Sequence, residues 1–139
     1  MLQLFTFPFS AMASPCAVHL YGDDRAGVEA IAEAAMAEVA RIEQRYSRYR
    51  SDSVLADIND VAQRAGSTAV DDETAKLLDY AYACHQRSDG LFDITSGILR
   101  RVWDFKSGQL PDRKAIDDLL LRIGLSKLSW QRPQLTGLQ

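Results

Sequence analysis

The sequence contains little cysteine, little histidine and no excess of basic side chains, and each shortage excludes a class of protein. Its 139 residues include 2 Cys and 2 His, too few for a disulfide scaffold or a Cys/His metal centre. The 16 Lys and Arg are outnumbered by 19 Asp and Glu, so no basic surface for nucleic acid is expected. No apolar run approaches the ~20 residues of a membrane span. We therefore expect neither a nucleic-acid partner nor a membrane span.

The composition that remains is that of an ordinary globular protein. Hydrophobic residues make up 47% of the chain and charged residues 25%, which excludes disordered and collagen-like classes. The chain is long enough to form one domain with a hydrophobic core but too short to form two such domains. We predict a single domain over residues 1–139.

The first fifteen residues are apolar and precede Cys16, an order that is typical of a lipoprotein signal. Three features contradict that interpretation. The segment has no Lys or Arg, Pro8 and Pro15 interrupt it, and Pro15 stands where a small residue should precede the lipidated cysteine. We interpret the segment as folded structure without an export signal, and expect a cytoplasmic location if the chain is natural as given.

Hydrophobic periodicity predicts where the regular structure lies. Residues 14–21 alternate between apolar and polar and predict a strand that ends at the turn Gly22-Asp23-Asp24. Residues 25–46 change to steps of three and four and predict a long helix capped by Asp23 or Asp24. Its predicted inner stripe consists of Val28, Ile31, Ala35, Val39, Ile42 and Tyr46.

Further helices and one more strand follow. Ser51 to Ser53 cap a short helix that ends near Val61, and Asp71 or Asp72 opens a helix with Leu77, Ala81 and Cys84 inward. That helix ends at Ser88-Asp89-Gly90, where glycine suits a left-handed position. The remaining predicted elements are a turn or two from Thr95 or Ser96, a helix from Pro111-Asp112 to Gly124, and a strand through Leu128 and Trp130.

The pattern indicates an α+β fold in which several helices pack on a small antiparallel sheet. Two strands alone make a marginal sheet, so either further strands exist or a sheet edge pairs with another chain. Trp103 and Phe105 follow Arg100-Arg101, which suits either a core or a stacking surface. The segment 89–97 joins a helix end, a glycine turn and a new helix start. Its backbone N–H groups could hold a polar ligand or simply cap the helix.

Three strings resemble one family. They are MASPCAVHLYGDD (Met12 to Asp24), RIEQRYSRYRSDSVLADIN (Arg41 to Asn59) and SDGLFDITSGILRRVWDF (Ser88 to Phe105). In this order and spacing they resemble the amino-terminal part of the FAD:protein FMN transferases, the ApbE family, formerly labelled thiamine-biosynthesis lipoproteins. The segment from Pro111 to Trp130 is similar to the family's next helix and strand. The resemblance covers almost the whole chain and implies a T-fold-like partial domain.

The resemblance also implies an activity and a binding site. Members of the family bind FAD and Mg²⁺, transfer the FMN half to a Thr or Ser hydroxyl of an acceptor protein, and release AMP. Carried over by position, the flavin-binding residues are Met12, Tyr49, Leu91, Phe92 and Asp93. A tyrosine ring can pack against flavin or adenine, methionine can mould to a ring, and a carboxylate can accept bonds from hydroxyl groups. We expect the turn before Ile94 to face Tyr49.

Three of these residues also have a purely structural interpretation, with Tyr49 and Phe92 as core aromatics and Asp93 as the cap of the following helix.

The sequence departs from the family pattern at Ala13, Ile98 and residues 104–106. The family's later segment, which supplies the metal ligands and the catalytic groups, has no counterpart before Gln139. We therefore predict no catalytic residue, no metal ligand and no turnover by this chain alone.

The alternative from a different class is a non-catalytic module, either flavin-binding or purely structural, that pairs with another chain. Because a chain that stops just after a strand exposes an unpaired edge, we also expect a homo-oligomer in which neighbouring strands pair.

Overall fold

The computed structural model describes residues 1–104 and 106–138. Phe105, predicted as a core or stacking aromatic, and Gln139 lie outside these ranges. The chain divides into two compact units, Met1–Asn59 and Asp60–Gln139. The elements in chain order are β1 (Gln3–Ala11), β2 (Ser14–Gly22), α1 (Arg25–Tyr46), α2 (Val54–Gln63), β3 (Ser67–Ala69), α3 (Asp72–Arg87), a first 3₁₀ helix (Ile94–Arg101), α4 (Arg113–Leu120), a second 3₁₀ helix (Leu125–Lys127), β4 (Leu128–Gln131) and β5 (Gln134–Gly137).

The first unit is built on a β-hairpin. β1 and β2 pair antiparallel over their whole length, with Phe7 opposite Val18. Only Met12 and Ala13 connect the strands, at φ of 52° and 56°. A two-residue hairpin turn favours this left-handed backbone at both positions, because it matches the right-handed twist of the strands.

Proline fits into this hairpin without disrupting it. In a two-residue hairpin the pair that closes the turn, here Ala11 and Ser14, is hydrogen-bonded, and the pairs then alternate along the ladder. Pro8 pairs with Ala17 and Pro15 with Ser10, which are both non-hydrogen-bonded pairs. Each proline nitrogen therefore points away from the partner strand, and the ladder loses no bond.

The hairpin packs on α1 through one face. Phe7, Val28 and Ala32 are buried, and Phe5, Val18, Leu20 and Met36 pack against them. The predicted inner stripe is partly wrong, since Ile31, Ala35 and Ile42 are exposed and Ala32, Met36 and Glu43 take the inner positions. Both stripes have helical spacing. The small side chain of Ala32, which is fully buried, lets the strands approach the helix closely.

The second unit contains a three-stranded antiparallel sheet in the order β3-β5-β4. α3 buries Thr74, Ala75, Leu78 and Ala81, so the prediction of Leu77 as an inner residue is wrong. The Tyr82 hydroxyl donates to the Leu128 carbonyl at 3.3 Å and ties α3 to β4. Gly137 packs directly on the Ala62 carbonyl of α2, where a Cβ would collide with the backbone.

The α+β class, with helices and small antiparallel sheets, is confirmed. The two predicted strands are present as β2 and β4, but they belong to different sheets, and β1, β3 and β5 were not predicted. The predicted caps Asp24 and Asp71 accept backbone N–H bonds from Gly27 and Thr74. Over residues 1–104 and 106–138, no helix is long and apolar enough to cross a membrane.

Candidate functional site

Met12, the first predicted binding residue, lies in the hairpin turn at the carboxyl end of α1. Its backbone N–H donates to the carboxylate of Glu43, three residues before the end of α1, with N and Oε1 2.9 Å apart. The Met12 side chain is exposed. The turn is thus attached to the helix through the backbone, while the flexible thioether remains accessible to a ligand.

Tyr49, the second predicted residue, lies in the loop between α1 and α2, three residues beyond the end of α1. The residue is 73% exposed, and the Arg48 guanidinium lies 5.9 Å from the centroid of its ring. The buried Ser53 hydroxyl donates to the Ser47 carbonyl at 2.6 Å and accepts the Ala56 N–H at 3.0 Å. The loop is therefore fixed at its base, and the interpretation of Tyr49 as a core aromatic is wrong.

Leu91 and Phe92 lie in the turn that follows α3. Gly90 has φ of 82°, the left-handed position predicted for it. The Leu91 N–H donates to the Ser88 carbonyl at 3.1 Å, and the Phe92 N–H donates to the Ser88 hydroxyl at 2.9 Å. His85 approaches the Phe92 carbonyl oxygen with Nδ1 at 2.8 Å. Three main-chain polar groups of Leu91 and Phe92 are thus bonded within the protein.

The exposed parts of this turn are side chains rather than main-chain groups. Leu91 is 93% exposed and Phe92 is 47% exposed, and Ile94 beside them is also exposed. The sequence suggested that Leu91 and Phe92 would offer main-chain groups to a ligand. Because most of those main-chain groups form hydrogen bonds within the protein, the turn exposes apolar side chains on a hydrogen-bonded backbone. Phe92 is not a core residue.

Asp93 connects two distant segments of the second unit. Its Oδ1 accepts the Thr95 N–H at 2.8 Å and the Thr95 hydroxyl at 2.6 Å, which caps the first 3₁₀ helix. Its Oδ2 accepts the Leu125 N–H at 2.9 Å, and the Thr95 hydroxyl accepts the Gly124 N–H at 2.8 Å. The side chain of Asp93 is only 11% exposed. The structural interpretation of Asp93 as a cap is therefore confirmed.

The electrostatics of Asp93 follow from these contacts. Burial raises the pKa of the carboxyl, but the bonds from the Thr95 hydroxyl and from the Thr95 and Leu125 N–H groups lower it, as does nearby His85. The net pKa lies below the ordinary value, so Asp93 stays charged at neutral pH. The pKa of Tyr82 is raised by burial and by the charge of Asp93.

The structure groups the predicted residues by unit. Met12 and Tyr49 both lie at the carboxyl end of α1 in the first unit, and Leu91, Phe92 and Asp93 follow one another in the second. The expectation that the second group faces Tyr49 stays a prediction. In the part of the chain that the structure describes, no group of three His, Cys, Asp or Glu side chains could hold a metal ion. These residues do not fit a Mg²⁺ site, so we assign no step to magnesium.

A comparison with protein-family models matches residues 12–139, nearly the whole chain, to one model, described as the ApbE family. The chain belongs to the ApbE family. The match covers all five predicted site residues, the second hairpin strand β2 and every helix that the structure describes, whereas β1 precedes it. A search of curated proteins gives no match.

Solved structures of ApbE proteins have the same fold. The ApbE protein of Thermotoga maritima has a TM-score of 0.83 at 24% identity, over 99% of this chain and 45% of that one. The flavinyl transferase ApbE of Pseudomonas stutzeri gives 0.75 at 23% identity, over 98% and 47%. The flavin transferase ApbE of Vibrio cholerae gives 0.77 at 16% identity, over 99% and 46%. The chain thus spans less than half the length of each of these proteins.

Sequence reasoning missed the residues that hold the predicted binding residues in place. Glu43, His85 and Ser88 do not form a recognisable motif in the sequence. One signal was available for the last two. A chain that reverses at a left-handed Gly90 must return toward the end of α3, where His85 and the C-cap residue Ser88 lie.

Proposed function

We propose that this chain is the FAD-binding portion of an FAD:protein FMN transferase. In the reaction of the whole protein, the hydroxyl oxygen of a Thr or Ser in an acceptor protein bonds to the phosphorus of the FMN half. The bond between that phosphorus and the bridging oxygen breaks, AMP leaves with that oxygen and its electron pair, and the hydroxyl proton is released. Membership of the ApbE family and the flavin transferase fold support this proposal.

The observation that carries the proposal is the exposure of apolar side chains on hydrogen-bonded turns. Met12, Tyr49, Leu91 and Phe92 are all exposed. Their backbones are nevertheless fixed, by Glu43 at Met12 and by Ser88 at the 91–92 turn. Exposed apolar side chains on a fixed backbone offer a preformed apolar surface, and a flat, largely apolar isoalloxazine ring is a suitable ligand for it.

Each residue then has a defined part in binding. The Tyr49 ring packs on a flavin or adenine face, and the Met12 thioether adapts to the ring edge. Leu91 and Phe92 supply apolar contact. Asp93 holds the 91–93 turn in place, and its remaining acceptor capacity serves a ribityl or ribose hydroxyl. The flavin dinucleotide brings the phosphoryl group that is transferred.

Flavin binding can be tested with the purified chain and FAD. We expect flavin to remain after desalting and its fluorescence to change on titration. Tyr49→Ala should weaken FAD binding by about 5- to 150-fold, since stacking on an aromatic side chain contributes roughly 1–3 kcal/mol. Tyr80→Ala is the matched control, because Tyr80 on α3 is 71% exposed and lies outside the site. A folded wild-type chain that retains no flavin would overturn the proposal.

The same preparation separates binding from turnover. Mg²⁺ and an acceptor peptide with a reactive Thr are added, and AMP release is measured. Retained flavin without AMP release is the expected result. AMP release by this chain would contradict our expectation that it does not turn over alone, while leaving the binding proposal intact.

We also propose that the chain self-associates through a strand edge, because each long strand of the hairpin in the first unit has one partner strand within residues 1–104 and 106–138. Light scattering at micromolar concentration should give at least the mass of a dimer. A monomeric mass there would refute self-association.

A further inference from the structure

His85 lies in the last turn of α3, and its ring reaches back to the turn that follows the helix. Its Nδ1 lies 2.8 Å from the Phe92 carbonyl oxygen and 3.8 Å from Oδ2 of Asp93. A carbonyl oxygen only accepts hydrogen bonds, so Nδ1 must carry the hydrogen. The charge of Asp93 favours the same arrangement. The geometry therefore assigns the Nδ1–H tautomer to neutral His85.

The ring also covers the glycine around which the chain reverses. A Cβ at Gly90 would lie 3.5 Å from Cε1 of His85, within ordinary van der Waals contact. The Ser88 hydroxyl meanwhile donates to the His85 carbonyl at 3.2 Å and accepts the Phe92 N–H. Both polar groups of Phe92 are thus held by the end of α3, the N–H by Ser88 and the carbonyl by His85.

We propose that His85 is a positioning residue for flavin binding. Through Nδ1–H it fixes the peptide between Phe92 and Asp93. This sets the direction of the exposed Phe92 ring and brings the Asp93 carboxylate into position for the Thr95 and Leu125 N–H groups. The inference rests on the proposed FAD-binding function, but the hydrogen bond itself can be tested without flavin.

The first experiment uses long-range ¹H–¹⁵N NMR of the imidazole in the free chain at a pH where His85 is neutral. We expect the Nδ1–H tautomer. Amide exchange at Phe92 should be about fivefold faster in His85→Ala, as expected for the loss of one hydrogen bond that supports the turn. An Nε2–H tautomer, or unchanged exchange at Phe92, would overturn the positioning role whether or not FAD binds.

The second experiment measures FAD affinity in a pair of similar variants. His85→Asn keeps an N–H donor near the position of Nδ1, whereas His85→Gln places its amide nearer the position of Nε2. We expect Asn to stay within about twofold of wild type, and Gln and Ala to weaken binding by about 5- to 10-fold. A merely structural histidine would not show this ordering, because Asn and Gln would then have similar effects.

The control is the second histidine, His19, whose Nδ1 lies 3.1 Å from the Thr6 hydroxyl on the hairpin. His19→Ala should leave FAD affinity unchanged. If wild type binds FAD and His85→Ala binds it equally well, the positioning role fails while the proposed function stands. If folded wild type binds no FAD, the proposed function fails, and the NMR experiment alone decides whether His85 fixes the turn.

Discussion

The two units hold their candidate binding residues by different physical means. In the first unit, the hairpin that carries Met12 is held on α1 by apolar packing around Phe7, with a backbone bond to Glu43 at the turn. In the second unit, Asp93 gathers N–H and hydroxyl groups from two segments about thirty residues apart. The position of Met12 therefore depends mainly on buried apolar area and that of the 91–93 turn on a hydrogen-bonded carboxylate, and substitutions should affect them differently.

The largest effect is expected in the core of the first unit. Phe7→Ala removes a buried ring from between β1 and α1 and should lower the free energy of unfolding by about 3–5 kcal/mol. Denaturant titration measures this loss. Leu4→Ala is the matched control on the exposed face of the same strand and should cost less than about 0.5 kcal/mol. Equal costs at the two positions would mean that the hairpin does not pack through Phe7.

A smaller effect is expected at Asp93. Asp93→Ala leaves the Thr95 and Leu125 N–H groups without their acceptor and should cost about 2–3 kcal/mol. Asp93→Glu keeps the charge but displaces the carboxylate oxygens, so it should also lower the free energy of unfolding. A wild-type free energy of unfolding in this variant would contradict the hydrogen-bond geometry of Asp93.

The pH dependence of stability provides an independent check on Asp93. Its pKa is lower in the folded chain than in the unfolded chain, so the unfolded state binds its proton first as the pH falls. The stabilisation is therefore complete above the ordinary carboxyl pKa of about 4 and is lost as the pH falls through the folded pKa. Asp93→Asn should flatten this acid limb of the stability curve, and an unchanged slope would contradict the prediction.

The smallest effect is expected at the hairpin turn. Ala13 has φ of 56°, where a Cβ is strained and glycine is not. Ala13→Gly should raise the free energy of unfolding by about 0.5–1 kcal/mol. This is the free energy gained by relieving the backbone strain minus the cost of the greater conformational entropy that glycine gives to the unfolded chain. Ala17→Gly, in β2 beyond the turn, should instead destabilise the chain by a similar amount. Destabilisation by both variants would show that the turn is not strained.

Local signals in the sequence predicted local structure well. Asp24, Asp71 and Gly90 act within one helical turn, so their effect is visible in a few residues of sequence. β1 was missed although Phe5, Phe7 and Phe9 alternate, because Pro8 argues against a strand unless its pairing partner is known.

Where a helix has two similar apolar faces, only the tertiary structure shows which of them is buried. On α1 the stripes through Ile31 and through Ala32 are both apolar and both helical in period, and only the approach of β1 selects Ala32. The hydrogen bond from the Leu125 N–H to Asp93 spans 32 residues and leaves no local pattern. Such a network is hidden from single-sequence reasoning, although the residue at its centre was identified from the family resemblance.

The positions of the two prolines make the two edges of the hairpin different in their backbone N–H donors. Pro8 occupies a mid-strand position whose nitrogen points outward, so a further strand laid along β1 would find one donor missing at the centre of the contact. Along β2, by contrast, Ala17, His19 and Tyr21 direct three successive amides outward, beyond the single interruption of Pro15 near its start. A strand added at the β2 edge would therefore form a more continuous hydrogen-bond ladder than one added at the β1 edge. Extension of this sheet is thus favoured on the β2 side.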